Sequence, residues 1–197
     1  MAVIVLIGVS RIFLAAHFPT DVLGGWLIGG VLLWAFLRWE QPVLDWFKRR
    51  PLGGRIGLTF AASLLLIGLP VLGLAISPAA VPPEWIRLAS AAFPSDPPID
   101  PRSMSGIVGV AGACFGLAAG VVLLFHQTPF EARTDGWKRI ARFALGVVGV
   151  LMVWLGLRMV FPRDDSLVSQ VLRYLRYALA GFWITYGAPW LFIRFRL

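Results

Sequence analysis

Ser10-Arg11-Ile12-Phe13-Leu14-Ala15-Ala16-His17-Phe18-Pro19-Thr20-Asp21 sets a guanidinium, an imidazole and a carboxylate between two apolar runs. Neither Met1–Val9 before it nor Val22–Leu37 after it contains a charged side chain. Five residues separate Arg11 from His17, and three separate His17 from Asp21. Apolar runs on both sides frame the stretch as the lip of membrane helices. Ionisable groups are expensive to place there and are functional candidates by default. Arginine offers a planar fork of donors that matches a phosphate. A neutral imidazole can attack phosphorus when a carboxylate holds its other ring nitrogen.

The rest of the composition agrees with the membrane frame. Of 197 residues, 58% are hydrophobic and 14% charged, with a mean hydropathy of +0.79. A soluble domain of this size has no way to hide that much apolar surface, and several runs approach the ~20 residues a membrane helix needs. The net charge of +8 does not point to nucleic acid, because the basic residues fall between the apolar runs. Loops beside membrane helices, facing anionic lipid, account for them. Cys114 is the one cysteine, so an intrachain disulfide and a cysteine-rich metal site are excluded; in its Gly-rich apolar run it reads as a small packing residue.

Working outward, Pro19 suits the first turn of a helix, where its missing N–H costs nothing. Asp21 then falls in that first turn, and unpaired backbone N–H groups point towards His17, a natural anion site. Met1–Val9 is too short to cross a bilayer and reads as the last half of a helix. Val22–Leu37 is the second run, closed by Arg38, Trp39 and Glu40, with Gly25 and Gly29 at a spacing that permits close helix approach. Val43–Arg50 is aromatic and basic and reads equally as an interfacial helix or a basic loop. Ile56–Ile76 is the third run, with a kink expected at Pro70.

Ser77–Ser103 is rich in proline. Within it Trp85, Leu88, Ala89, Ala92 and Phe93 share one helical face, which predicts another interfacial helix, followed by a surface loop over Ser95–Ser103. Met104–Phe125 is the fourth run, and Gly112, Gly116 and Gly120 give it a smooth face for helix contact. His126 and Glu131 read as solvated loop residues. Ile140–Phe161 and Val171–Phe195 are the fifth and sixth runs. In the sixth, Arg173 and Arg176 snorkel towards headgroups with Tyr174 and Tyr177 beside them, and Pro189 bends the far end. No strand-period alternation and no repeat occurs. The expected fold is all-α: an integral membrane helical bundle of about six segments, the first truncated, plus one or two interfacial helices.

Residues 10–21 resemble the third signature of the type 2 phosphatidic acid phosphatase family, which shares its site with the vanadium haloperoxidases. That pattern is Ser-Arg, five residues, His, three residues, Asp, and every fixed position is present here. Phe18-Pro19-Thr20 and Gly24, Gly25 and Gly29 also resemble the family's membrane enzymes. The resemblance implies that His17 takes the phosphoryl group, that Asp21 orients it, and that Ser10 and Arg11 bind phosphate. It implies a membrane phosphatase acting on a lipid phosphate or pyrophosphate through a phosphohistidine, with no metal and no cofactor. Residues 1–40 would belong to the catalytic core and 41–197 to a helical membrane extension.

Two further signatures of that family are not found. Lys48 and Arg55 have the spacing of the first, but Ile56 stands where proline is required and both follow the histidine instead of preceding it. The second, Pro-Ser-Gly-His, has no match; Ser105-Gly106 is followed by Ile107. Both belong upstream of Met1, so the sequence reads as the later part of a longer core, with the missing N-terminal half as a partner. The alternative is a catalytically incomplete scaffold or transporter-like relative.

Basic residues set the expected topology. With alternating sides, Arg38, Lys48–Arg50, Arg55, Arg133, Lys138, Arg139, Arg142, Arg194 and Arg196 share one side, eleven in all, against seven on the other. The first side is then cytoplasmic and His17 faces out of a cell membrane.

Overall fold

In a computed structural model that describes residues 2–77, 81–92, 94, 100, 102–127, 136–162, 164 and 166–197, every regular element is helical. Two compact units divide between Arg50 and Pro51. Helices α2, α3, α5 and α6, defined below, are each long and apolar enough to cross a membrane.

The first unit contains α1 (Ala2–Phe13) and α2 (Pro19–Lys48). At 30 residues, α2 is about 45 Å long, half as long again as the ~30 Å hydrocarbon core. Asp21 lies in its first turn and Lys48 in its last, matching the helix dipole at both ends. This corrects the reading of Val43–Arg50 as a separate interfacial helix or loop: Val43 to Lys48 is the end of α2, which continues through Pro42, and Arg49 is its cap. One proline forfeits a single backbone bond, whereas leaving the helix beside lipid would strand several. Pro51 stops it instead, by steering the residue before it away from helical geometry.

In the second unit, α3 (Leu52–Ile76), α4 (Pro83–Ala92), α5 (Ser105–Gln127), α6 (Trp137–Val160) and α7 (Leu167–Phe182) lead into a π-helical turn (Trp183–Gly187) and α8 (Ala188–Arg194). Helix α5 is central: half of its apolar window is buried, against 6% for α3 and for α6. It packs against α3 on one side and α7 on another, while α6 lies on α7, the π turn and α8. Gly112, Gly116 and Gly120 meet the backbone of Tyr174, the backbone of Ala178 and the side chain of Thr185 respectively, so the glycine face is a helix contact.

Tyr174 points inward. Its hydroxyl and the Ser63 hydroxyl share a 2.7 Å hydrogen bond, and its ring stacks on Phe115 with centroids 6.2 Å apart. The expectation of headgroup contact therefore fails for Tyr174; beside Gly112 a ring reaches the polar Ser63, which a lipid tail does not offer. Arg176 lies over the Tyr177 ring, 5.1 Å from its centroid, which stacks the cation on an aromatic face.

The π turn has a sequence cause. Pro189 has no N–H to give the carbonyl four residues back and crowds it, and one widened turn absorbs the misfit. Helical geometry persists through Phe182, Gly187 and Ala188, so the sixth run is one continuous helical path with a local bulge.

α4 is a helix where the Trp85–Leu88 periodicity predicts one, with both residues exposed. Phe93, residues 95–99 of the proline-rich loop, Glu131, Arg133 and Arg163 lie outside the described residues. His126 falls in the last turn of α5 and is exposed. At the start of α7, Ser166 caps Ser169 N–H at 3.2 Å. The hydroxyls of Ser169 and Ser166 donate to Asp164 and hold its carboxyl below the ordinary range.

Candidate active site

The turn from α1 to α2 accounts for the spacing of the polar residues. Ala15 N–H bonds the Ile12 carbonyl at 3.0 Å and Ala16 N–H the Arg11 carbonyl at 3.0 Å, the two bonds of a Schellman motif. The Arg11 carbonyl also accepts from His17 N–H at 3.3 Å, which ties the two residues together across five intervening ones. Ala15 occupies the left-handed position, at φ 52°, where glycine is the unstrained choice. Ala15→Gly is therefore expected to raise stability by up to about 1 kcal/mol, and Ala15→Val to lower it by more. Denaturation midpoints in detergent check the pair, and equal midpoints would remove the strain.

Phe18 then caps α2 with extended geometry, Pro19 is its first residue, and Asp21 falls at the third helical position. The Asp21 carboxylate accepts Phe18 N–H at 3.0 Å, half of a capping box, since phenylalanine has no acceptor to return the bond. The same oxygen lies 3.9 Å from His17 Nδ1, with both side chains about half exposed. That distance is too long for a hydrogen bond. The carboxylate is thus anchored by the backbone and stands one small movement from hydrogen-bond reach of the imidazole.

His17 and Asp21 line a cavity of about 360 Å³ with Ile4, Ile7, Gly8, Val22, Gly25 and Trp26. Gly8 makes the approach of α1 to α2 possible: a Cβ there would lie 2.5 Å from the Trp26 ring and 2.8 Å from Val22. The sequence reading did not single out Gly8 or Trp26; a lone glycine in an otherwise uniform apolar run was the available signal. Gly25 and Gly29, expected to admit a neighbouring helix, have nothing within 4 Å. Contact is made through α1's glycine instead.

The two remaining candidates stand apart from the cavity lining. Ser10 spends its hydroxyl on the Ile7 carbonyl at 2.7 Å. Arg11, in the last turn of α1, is exposed and takes part in neither ion pair found among the described residues. No group of three or more His, Cys, Asp and Glu side chains comes together among the described residues.

The PAP2 superfamily model matches residues 1–44, and the model for the PAP2 superfamily phosphatase transmembrane extension matches residues 108–197. Glucose-6-phosphatase 3 of Mus musculus is 27% identical over 194 residues, covering 93% of this chain and 50% of that protein. The Bos taurus protein of the same name is 29% identical over 198 residues, at 94% and 51%, and the Homo sapiens one 28% over 195 residues, at 93% and 50%. The chain thus spans about half the length of the curated relatives it matches. No solved structure matches it significantly.

Proposed function

We propose, from the premise that this chain belongs to the PAP2 superfamily, that it carries the nucleophilic half of a multi-pass membrane phosphatase. The observation that carries the reading is the His17–Asp21 pair, 3.9 Å apart on the wall of one cavity. Asp21 approaches Nδ1, which leaves Nε2 as the attacking atom. Nε2 forms a bond to phosphorus while the phosphorus–oxygen ester bond breaks, and the alcohol leaves with a proton. Water then attacks the phosphohistidine, releasing phosphate and restoring the imidazole. Asp21 fixes the tautomer and stabilises the imidazole as it becomes positive. Arg11 supplies a charged fork to the non-bridging oxygens, with Ser10 beside it.

The proton donor to the leaving group and the remaining phosphate ligands come, in this proposal, from chain outside these 197 residues. Alone, these residues should therefore turn over poorly. The cavity wall of Ile4, Ile7, Val22 and Trp26 suits a lipid phosphate or pyrophosphate, with the acyl or prenyl chain against it. The similarity to glucose-6-phosphatase 3 favours a second reading, a sugar phosphate. With the basic loops cytoplasmic, the site faces out of a cell membrane.

The test is hydrolysis by the protein expressed from its own gene, in membranes, with lipid phosphates and sugar phosphates offered in parallel. Acid-quenched labelling should trap phosphate on His17. Intact cells should hydrolyse a soluble, impermeant ester if the site faces outward. Turnover with label on another residue would overturn the nucleophile; preference for sugar over lipid phosphates would select the second substrate reading.

A further inference from the structure

Between α6 and the α8 end of the second unit lies a cavity of about 580 Å³ that the phosphatase chemistry does not use. Trp183 projects towards α6, donates its indole N–H to the Gly146 carbonyl at 3.1 Å, and packs against Gly149. The cavity is lined by Ile184 of the π turn, by Ala188, Pro189 and Phe192 of α8, and by α6.

The lining is sharply divided. Arg139 and Arg142 stand at the end where α6 begins, and below them the walls are apolar, including Val147, Val150, Leu151 and Phe192. Arg142 donates from Nε and Nη2 to a terminal oxygen of Leu197 at 3.2 and 2.6 Å, so its guanidinium is held at the mouth and Arg139 supplies the exposed charge there. Arg139 is exposed and takes part in neither ion pair among the described residues. From Arg139 to Leu151 is twelve residues of α6, about 18 Å of helix rise, close to the ~15 Å of one bilayer leaflet. A groove one leaflet deep, cationic at its mouth and apolar below, has the length and polarity of one lipid molecule.

We infer that this groove is a binding site for an anionic phospholipid, its phosphate at Arg139 and Arg142 and one acyl chain along Val147, Val150 and Phe192. Basic pockets between membrane helices hold acidic headgroups in this way. A zwitterionic lipid fits the apolar part equally but carries no net charge for the mouth.

Native mass spectrometry of the full chain, released from detergent with phosphatidylglycerol and phosphatidylcholine of matched chains, tests the inference. Phosphatidylglycerol should be retained about fivefold or more over phosphatidylcholine, and Arg139→Gln should reduce that ratio about fivefold. Arg139→Lys should keep most of it. Val147→Trp should lower retention of both lipids by filling the chain groove without touching the arginines. Glycerol phosphate at millimolar concentration should displace neither. Equal retention of the two lipids, an unchanged ratio in Arg139→Gln, undiminished retention in Val147→Trp, or displacement by glycerol phosphate would each overturn it.

Discussion

In the protein expressed from its own gene, His17→Ala is expected to abolish turnover of any phosphate ester and to leave no trapped phosphoenzyme, because the proposed mechanism loses its nucleophile. Asp21→Asn is the more diagnostic change. The asparagine carbonyl can still accept Phe18 N–H, the 3.0 Å bond that fixes the start of α2, so the turn should hold and binding should change little. What is lost is the negative charge facing Nδ1, now 3.9 Å away. The expected fall in kcat is on the order of 10³-fold with KM nearly constant, the pattern of an interaction that strengthens in the transition state. Arg11→Lys keeps a charge but loses the bidentate fork, so KM and kcat should both worsen, and by less. The order of severity is therefore His17, Asp21, Arg11. A His17→Ala enzyme that still forms a phosphoenzyme would remove the nucleophile. An Asp21→Asn enzyme with unchanged kcat would leave that carboxylate with a capping role only.

The spacing within the candidate site has a local cause in backbone chemistry. Arg11 and His17 are tied through one carbonyl, and Asp21 reaches back to the cap of its own helix. Such short-range bonds leave a fixed register in sequence. The apolar runs were readable for a similar reason, since lipid demands long uniform segments. Features that depend on a distant partner were not. Tyr174 looks like a headgroup-level residue until Ser63, more than a hundred positions away, is seen beside it. Pro42 and Pro51 look alike in sequence, yet α2 runs through the first and stops at the second. Ala15 gave no warning of its left-handed backbone, because the usual marker of that position is glycine. Pro189 was expected to bend its helix, and the widened turn before it was not foreseen. In each of these, the answer depends on the neighbour that absorbs the misfit.

Gly116→Ala is expected to lower the stability of the second unit by about 2 kcal/mol, although alanine is the better helix former by about 1 kcal/mol. The reason lies across the helix pair. A Cβ on Gly116 would run into the carbonyl group of Ala178, and the same stripe sets Gly112 against the Tyr174 carbonyl. Those obstacles are backbone, which cannot rotate away as a side-chain end does. To admit one methyl group, α5 and α7 must separate along the stripe, and lipid offers no hydrophobic penalty to push them back together. Close van der Waals contact is what holds such a pair. Gly57 in α3 has nothing within 4 Å of its would-be Cβ, so Gly57→Ala tests the opposite sign: no change, or a gain of up to about 1 kcal/mol. Midpoints of denaturation in mixed micelles, read by helicity for the two variants side by side, distinguish packing from propensity. If Gly116→Ala matches the parent or exceeds it, the α5–α7 contact is looser than the stripe requires, and the Tyr174–Ser63 bond becomes the element that joins α7 to its neighbours.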